Sequence, residues 1–418
     1  MDTRIKELVE FVKEKYGLTR YKLARYELHR SVNFLYETEY GLDMEWFPEG
    51  AEELEDGSNP DGTIVIDLDI GRRQVRHFIC VGEDAAGGPR LTDTDPDGIA
   101  RWLEEETGLI RGQQFELESF EEGKARFRGI VHGVPVSPAA VMTVEWNDAA
   151  VLKLFTKDGY FPSPNEVEKE EFQLDRERLA DVAMQQVKMI DMPDDEQKKT
   201  RPLYGIEEVY VMNDLSATLP VNWREGPPLV ELDELLTWQE PLNRKYENEK
   251  LQWDEQLTPD QAFAGEASPD AARLTEAEIE KCKNVVIDFL RSIYPQDSGN
   301  WRLMQLWRKR GKVRAILSEP SEEDRYFEKR LAIMLDGADF RVLTHGDNYP
   351  FVEEREQYNR PGLTVSKQQA FEKLRPHLTV KPYYRYDDGQ KKFRLCGMLD
   401  CDYFVDAVTG ELFHANEL

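Results

Sequence analysis

The segment from residue 364 to 415 contains a complete pattern of helix and strands that earlier segments repeat. Ser366 is typical of a helix N-cap, and Gln369 can bond back to the N-cap backbone, which together make a capping box. Asp388-Gly389 separates two strand-like runs and predicts a tight turn with positive φ. Gly410 lies between two last strand-like runs and can adopt the left-handed conformation. We therefore predict a helix followed by two β-hairpins here.

Similar helix-like segments, each followed by strand-like runs, recur at intervals of roughly ninety residues. A chain of 418 residues is also longer than one hydrophobic core usually organises. We predict an α+β fold of tandem units, each a helix packed on an antiparallel sheet. The predicted boundaries are 1–90, 91–170 and 171–259 for three units, the third with an irregular extension, 260–273 for a linker, and 274–350 and 351–418 for the last two.

The chain ends with the motif Tyr403-Phe404-Val405-Asp406-Ala407-Val408-Thr409-Gly410-Glu411-Leu412-Phe413. With the helix and paired strands before it, this motif resembles the PepSY domain, and the repeated arrangement resembles the bacterial YcdB/YcdC-type repeat proteins. Residues 333–343 keep Asp336 and Gly337 of the motif, whereas 143–155 keep only its rhythm. The resemblance implies binding and not chemistry. Single PepSY domains inhibit thermolysin-like metalloproteases from within their propeptides and occur in proteins that govern spore cortex hydrolysis.

The charge of the chain disfavours two classes of partner. Its 54 basic and 82 acidic residues give a formal net charge of −28, which repels nucleic acid and anionic membranes. A basic partner and simple solubility both remain open as reasons for this charge. Four scattered cysteines fit a reducing cytosol, and no stretch resembles a membrane span. We expect a cytoplasmic protein, or an extracellular one if a signal peptide was removed.

One loop matches the residue pattern of an EF-hand calcium site. In Asp93-Thr94-Asp95-Pro96-Asp97-Gly98, carboxylates alternate before a glycine, and Glu104 stands at the twelfth position. The predicted calcium ligands are Asp93, Asp95, Asp97 and Glu104. Ordinary helix capping explains the same residues, with Asp95 as N-cap, Pro96 as first helical residue and Asp97 near the positive helix end. No other cofactor is predicted.

Two further features have a functional and a structural interpretation. Arg308-Lys309-Arg310-Gly311-Lys312 is either a patch for nucleic acid or an acidic partner, or the charged tip of a hairpin. Four tryptophans either line a cleft or belong to the core: Trp238, Trp253, Trp301 and Trp307. The six histidines and four cysteines show no metal-ligand spacing, so we expect surface or packing roles for them.

The chain lacks the local signatures of the usual enzyme classes, including HExxH, GxSxG and phosphate-binding glycine loops. We expect a non-catalytic regulator that binds a protein or peptide, with a peptidase or a cell-wall hydrolase as its candidate target. One alternative is a hydrolase with an unrecognised carboxylate site, for which Glu207-Glu208 or Asp400 and Asp402 could serve as acid and base. Another is a structural assembly protein.

Overall fold

The computed structural model of the protein describes residues 1–82, 88–221, 229–251, 253, 255–319 and 329–418. Strands hold 39% of the residues and helices 21%, so the protein is mostly β. The chain divides into two compact units. The first comprises Met1–Glu171, Glu255–Ser268 and Tyr383–Leu395, and the second comprises Phe172–Asp254, Pro269–Pro382 and Cys396–Leu418.

The helices and strands are numbered along the chain. The α-helices are α1 Thr3–Lys15, α2 Pro96–Thr107, α3 Ala180–Gln185, α4 Pro259–Ala264, α5 Glu276–Ile293, α6 Tyr349–Glu356 and α7 Lys367–Leu374. The first strands are β1 Tyr21–Val32, β2 Thr38–Pro48, β3 Ile64–Asp69, β4 Gln74–Cys80, β5 Phe115–Glu121, β6 Lys124–Val131, β7 Val134–Ser137, β8 Val141–Trp146 and β9 Leu152–Asp158. The next are β10 Val187–Asp194, β11 Lys199–Ile206, β12 Val209–Met212, β13 Thr218–Pro220, β14 Val230–Leu236, β15 Trp301–Lys309, β16 Lys312–Ser318, β17 Arg330–Asp336 and β18 Val342–Asp347. The last are β19 Thr379–Asp387, β20 Lys392–Asp400, β21 Tyr403–Asp406 and β22 Leu412–His414.

The first unit is built on a sheet in the strand order β1-β2-β3-β4-β9-β8-β6-β7-β19, with β5 beside β6. Alternate residues of its strands are buried, as in β2 with Leu42, Met44 and Trp46. This apolar face packs against α1 and α2. The Tyr16 ring lies 5.3 Å from that of Phe78, and the Trp102 ring lies 5.2 Å from that of Phe155. The opposite face carries cross-strand ion pairs, such as Arg25 with Glu45.

The second unit contains two antiparallel sheets and a short strand group. One sheet has the order β14-β15-β16-β17-β18 and packs on α5, where Phe289 and Trp301 are fully buried. The other has the order β10-β11-β21-β22, and its Val405 lies in one core with Phe371 and Leu374 of α7. Strand β12 pairs with β13 and with residues 396–399 of β20. No helix in the described residues is both long and apolar enough to cross a lipid bilayer.

The predicted fold class is wrong. The protein is mostly β, and it is not a row of helix-on-sheet repeats. Strands from different predicted repeats pair directly: β4 with β9, β7 in parallel with β19, β11 with β21, and β14 with β15. The periodic spacing of helices along the sequence therefore did not correspond to separate sheets.

The turns explain why the repeats looked alike. In the described residues seven hairpins begin with an Asx turn, in which a side-chain oxygen accepts a hydrogen bond from the backbone N–H two residues later. Two of these side chains are those of Asn33 and Asp214. The other five are those of Asn147, Asp194, Asp336, Asp387 and Asp406. In the Asp387 turn the positive φ belongs to Lys391, at 52°, and not to Gly389 as predicted. Gly410 does adopt a positive φ of 73°, as predicted.

Candidate functional site: a basic and aromatic groove

The tip of the β15–β16 hairpin is a two-residue turn held in place by a carboxylate. Arg310 and Gly311 have φ values of 48° and 69°, which is the signature of a type I′ turn. The Asp270 carboxylate accepts hydrogen bonds from both of their backbone N–H groups, at 2.5 and 3.1 Å. Lys309 and Lys312 face each other directly across the hairpin. Several basic side chains are thus fixed at one end of the five-stranded sheet.

A groove of about 540 Å³ lies beside this tip. Lys309, Arg310 and Arg314 line it together with the indole of Trp253. The Arg310 guanidinium lies 6.0 Å from the centre of the Trp253 ring, and Lys312 Nζ lies 5.1 Å from it. At these distances the ring face attracts the cations.

The basic side chains of the groove differ from their neighbour Arg308. Arg308 has a side chain only 13% exposed, and its guanidinium donates to Glu278 at 2.5 Å. Within the described part of the chain, the side chains of Lys309, Arg310 and Arg314 take part in no ion pair. In a protein of net charge −28, these side chains form a local group of positive charge, which the Asp270 carboxylate on the backbone of the hairpin tip offsets in part.

Small residues give the groove its depth. Ala332 of β17 and Gly346 of β18 face each other as a cross-strand pair and form part of its lining. A Cβ built on Gly346 would meet no atom within 4 Å, so this position opens onto free space. Met334 and Thr344, the next cross-strand pair on the same face, continue the lining. The groove therefore combines partly apolar strand residues with cationic side chains.

The polypeptide that carries Trp253 runs along the outer edge of β18. The Asn248 side-chain oxygen accepts a hydrogen bond from the His345 backbone N–H at 2.9 Å, and Glu249 N–H donates to the Leu343 carbonyl at 2.8 Å. These contacts give hydrogen-bond partners to backbone groups of β18 that face away from the sheet, as on any edge strand. They also bring Trp253 to the groove, which periodicity in the sequence could not indicate.

The four tryptophans named from the sequence separate into different environments. Trp253 lines the groove, whereas Trp301 is fully buried in the core under the five-stranded sheet. The ring of Trp307 lies 5.3 Å from the Arg314 guanidinium. The Trp238 indole N–H donates to the Pro295 carbonyl at 3.3 Å. The cleft interpretation therefore applies to Trp253, and the core interpretation applies to Trp301.

In the predicted calcium loop, the first two carboxylates have partners of their own. The Asp95 carboxylate caps α2 by accepting a hydrogen bond from the Gly98 N–H at 2.7 Å. The Asp93 carboxylate accepts from the Arg101 guanidinium at 2.9 Å. These are the contacts that the capping interpretation requires of Asp95.

The other two predicted ligands both contact Arg111. The Asp97 carboxylate accepts from its guanidinium at 2.6 Å, and the Glu104 carboxylate accepts from its backbone N–H at 2.9 Å. Calcium binding here stays a prediction. A calcium site would give a saturable heat in calorimetric titration, a rise in melting temperature, and loss of both in Asp97→Asn. Absence of heat and of any shift would remove the hypothesis.

The acidic pair proposed for a hydrolase lies outside the groove. Burial and the charge of Asp402 raise the pKa of the Asp400 carboxyl. Burial and the charges of Asp400 and Asp402 likewise raise the pKa of Glu208. Repulsion among carboxylates in a partly buried place accounts for both shifts.

Comparisons with known proteins add no functional information. No family model matches the chain, and no curated protein matches it. Among solved structures, the crystal structure of a member of the DUF4221 family from Bacteroides vulgatus aligns over 93% of this chain and 98% of that one. The two share 9% sequence identity with a TM-score of 0.11, which is too low to carry an argument about the fold.

Proposed function

We propose that the protein is a non-catalytic binding protein whose groove takes an acidic segment of a peptide or protein partner. The observation that carries this proposal is the group formed by Lys309, Arg310 and Arg314 beside Trp253, three cations whose side chains form no ion pair with any residue that the structure describes. Guanidinium groups bind carboxylates through two parallel hydrogen bonds, so the arginines suit glutamate and aspartate side chains.

The shape and lining of the groove favour a peptide. Its volume of about 540 Å³ lies in the range of sites that enclose a ligand of a few residues. The floor at Ala332, Met334 and Gly346 accepts apolar side chains, and the Trp253 ring offers a surface for an aromatic one. The preferred segment therefore mixes carboxylates with apolar or aromatic residues.

The class of partner is supported only by the sequence motif that ends the chain. Its resemblance to PepSY domains favours a peptidase or a cell-wall hydrolase as the protein that carries the acidic segment. The groove supports the chemical character of the bound segment, but it does not indicate which protein carries that segment.

Fluorescence anisotropy with a labelled peptide of glutamate and phenylalanine residues tests the proposal. We expect Arg310→Glu and Arg314→Glu each to weaken binding by about tenfold, which corresponds to about 1.4 kcal/mol. Binding should also weaken as salt is raised, because the groove is open to solvent. Lys169→Glu is the matched control, since it makes the same change of charge at an exposed residue of the first unit.

A second variant separates the groove from general electrostatics. Gly346→Leu keeps the net charge and places its side chain in open space. We expect it to fold normally by circular dichroism and to lose peptide binding. Equal binding by the wild type, Gly346→Leu and Arg310→Glu would overturn the proposal. Cleavage of the peptide during the assay would instead favour the hydrolase alternative.

A further inference from the structure

Three adjacent strands of the first unit bring an imidazole and two carboxylates to one point. Asp43 of β2 and Asp67 of β3 are direct cross-strand neighbours, and His29 of β1 faces Gly41 of β2. His29 Nε2 lies 3.0 Å from Asp67 Oδ1 and 3.7 Å from Asp43 Oδ2. The imidazole thus reaches across β2 to a residue two strands away.

Glycine at position 41 makes this crossing feasible. A Cβ built on Gly41 would overlap both His29 Nε2 and Arg76 Nη2. The imidazole therefore lies directly over the backbone of β2, where any larger residue would displace it. The cluster depends on strand register and on this glycine, so it is formed by the sheet itself and not by a loop.

The spacing of the three donor atoms suits a single metal ion. All of them lie within 4.8 Å of one another. Two donors bound at about 2.1 Å to a tetrahedral zinc ion are themselves roughly 3.4 Å apart. The distances of 3.0 and 3.7 Å from His29 Nε2 lie on either side of this value.

We propose that His29, Asp43 and Asp67 form a zinc site with a fourth position open to water or a ligand. One imidazole nitrogen and two carboxylate oxygens are a donor set that zinc accepts, and catalytic zinc sites likewise use three protein ligands. The Asp43 side chain is 48% exposed, which gives the ion a path of entry. The site is independent of the groove in the second unit.

Neighbouring groups orient Asp67 and limit the charge of the site. Arg76 donates to both oxygens of Asp67, from Nε at 2.9 Å and from Nη2 at 3.1 Å. Hydrogen bonds of this kind to a ligating carboxylate fix its direction. Arg76 Nη2 also lies 3.5 Å from His29 Nε2, and His77 Nδ1 lies 3.4 Å from Asp67 Oδ2. The positive charge on this side of Asp67 opposes a cation, but Glu39 lies 3.4 Å from Arg76 Nη1 and Asp158 lies 3.0 Å from His77 Nε2, and these carboxylates offset part of it. On zinc binding, the ion takes the place of the hydrogen bond between His29 and Asp67.

Titration of chelator-treated protein with zinc chloride tests the proposal by calorimetry and by melting temperature. Cobalt(II) serves as a spectroscopic probe, because tetrahedral coordination gives strong visible absorption. We expect one zinc per chain, and a loss of affinity of at least about tenfold in His29→Gln and in Asp43→Asn. Circular dichroism of each metal-free variant checks that it is folded.

Asp148→Asn is the matched control, because it removes an exposed carboxylate of the same unit and should leave zinc binding unchanged. Three results would overturn the proposal. The first is absence of zinc-dependent heat and of a melting shift. The second is undiminished affinity in folded His29→Gln. The third is tighter binding of manganese than of zinc, which would indicate a site made of carboxylates alone.

Discussion

Asp67→Ala is expected to lower the free energy of unfolding by about 3 to 5 kcal/mol in chelator-containing buffer. The Asp67 side chain is only 9% exposed and accepts hydrogen bonds or ion pairs from His29, Arg76 and His77. Removing it leaves the Arg76 guanidinium, whose side chain is 15% exposed, without its main partner. An unpaired charge in so little contact with water carries a large desolvation cost.

Two further variants show whether burial is the reason for this effect. Asp158 also binds His77, at 3.0 Å, but its side chain is 57% exposed, so Asp158→Ala should cost no more than about 1 kcal/mol. Asp67→Asn keeps the volume and removes only the charge, and it should recover a small part of the loss. Urea denaturation followed by circular dichroism measures all three. Equal losses in Asp67→Ala and Asp158→Ala would contradict the argument.

Local structure followed closely from the sequence because its causes lie within a few residues. Thr275 and Glu278 stand three residues apart and form the capping box that begins α5. Ser366 with Gln369 begins α7 in the same way. The left-handed Gly108 ends α2. In each case one side chain or one missing side chain decides the backbone conformation.

The pairing of strands could not be obtained in this way. The parallel contact between β7 and β19 joins Val136 with Tyr384, residues far apart in the chain. An Asx turn specifies that a hairpin forms but not which strand lies on its other side. Because such turns begin so many hairpins here, the motif around Asp406 recurred without any repeat of the fold. This is the physical reason for the wrong prediction of tandem units.

The candidate sites show the same difference between features set by neighbouring residues and features set by strand pairing. The basic hairpin tip at residues 308–312 was visible in the sequence, since charge and turn residues are local. Gly346 as a groove floor was not, because its role depends on the facing Ala332. The cluster of His29 and Asp67 was missed for a similar reason, since it is created by register across three strands. The spacing of histidines along the sequence gives no indication of this cluster.

Asp406→Ala is expected to lower the free energy of unfolding by about 2 to 3 kcal/mol at neutral pH. The buried carboxylate accepts from the backbone N–H groups of Val408 and Thr409, both at 2.9 Å, and from Arg201 Nε at 2.8 Å. Burial alone would raise the pKa of Asp406, but the hydrogen bonds from Arg201 and the backbone outweigh it and lower the pKa.

The lowered pKa of Asp406 fixes the pH dependence of this loss. A carboxyl whose pKa is lower in the folded state contributes stability above its unfolded pKa of about 3.9 and loses it as pH falls through the folded pKa. The difference in unfolding free energy between wild type and Asp406→Ala should therefore be constant from about pH 5 to 8 and shrink below about pH 4.

Asp336 is the matched control, since it accepts from the N–H groups of Ala338 and Asp339 in the same kind of turn. It is less buried than Asp406, so Asp336→Ala should cost only about 1 kcal/mol. A loss in Asp406→Ala that persists undiminished at pH 2.5 would show that packing, and not the charged carboxylate, stabilises this turn.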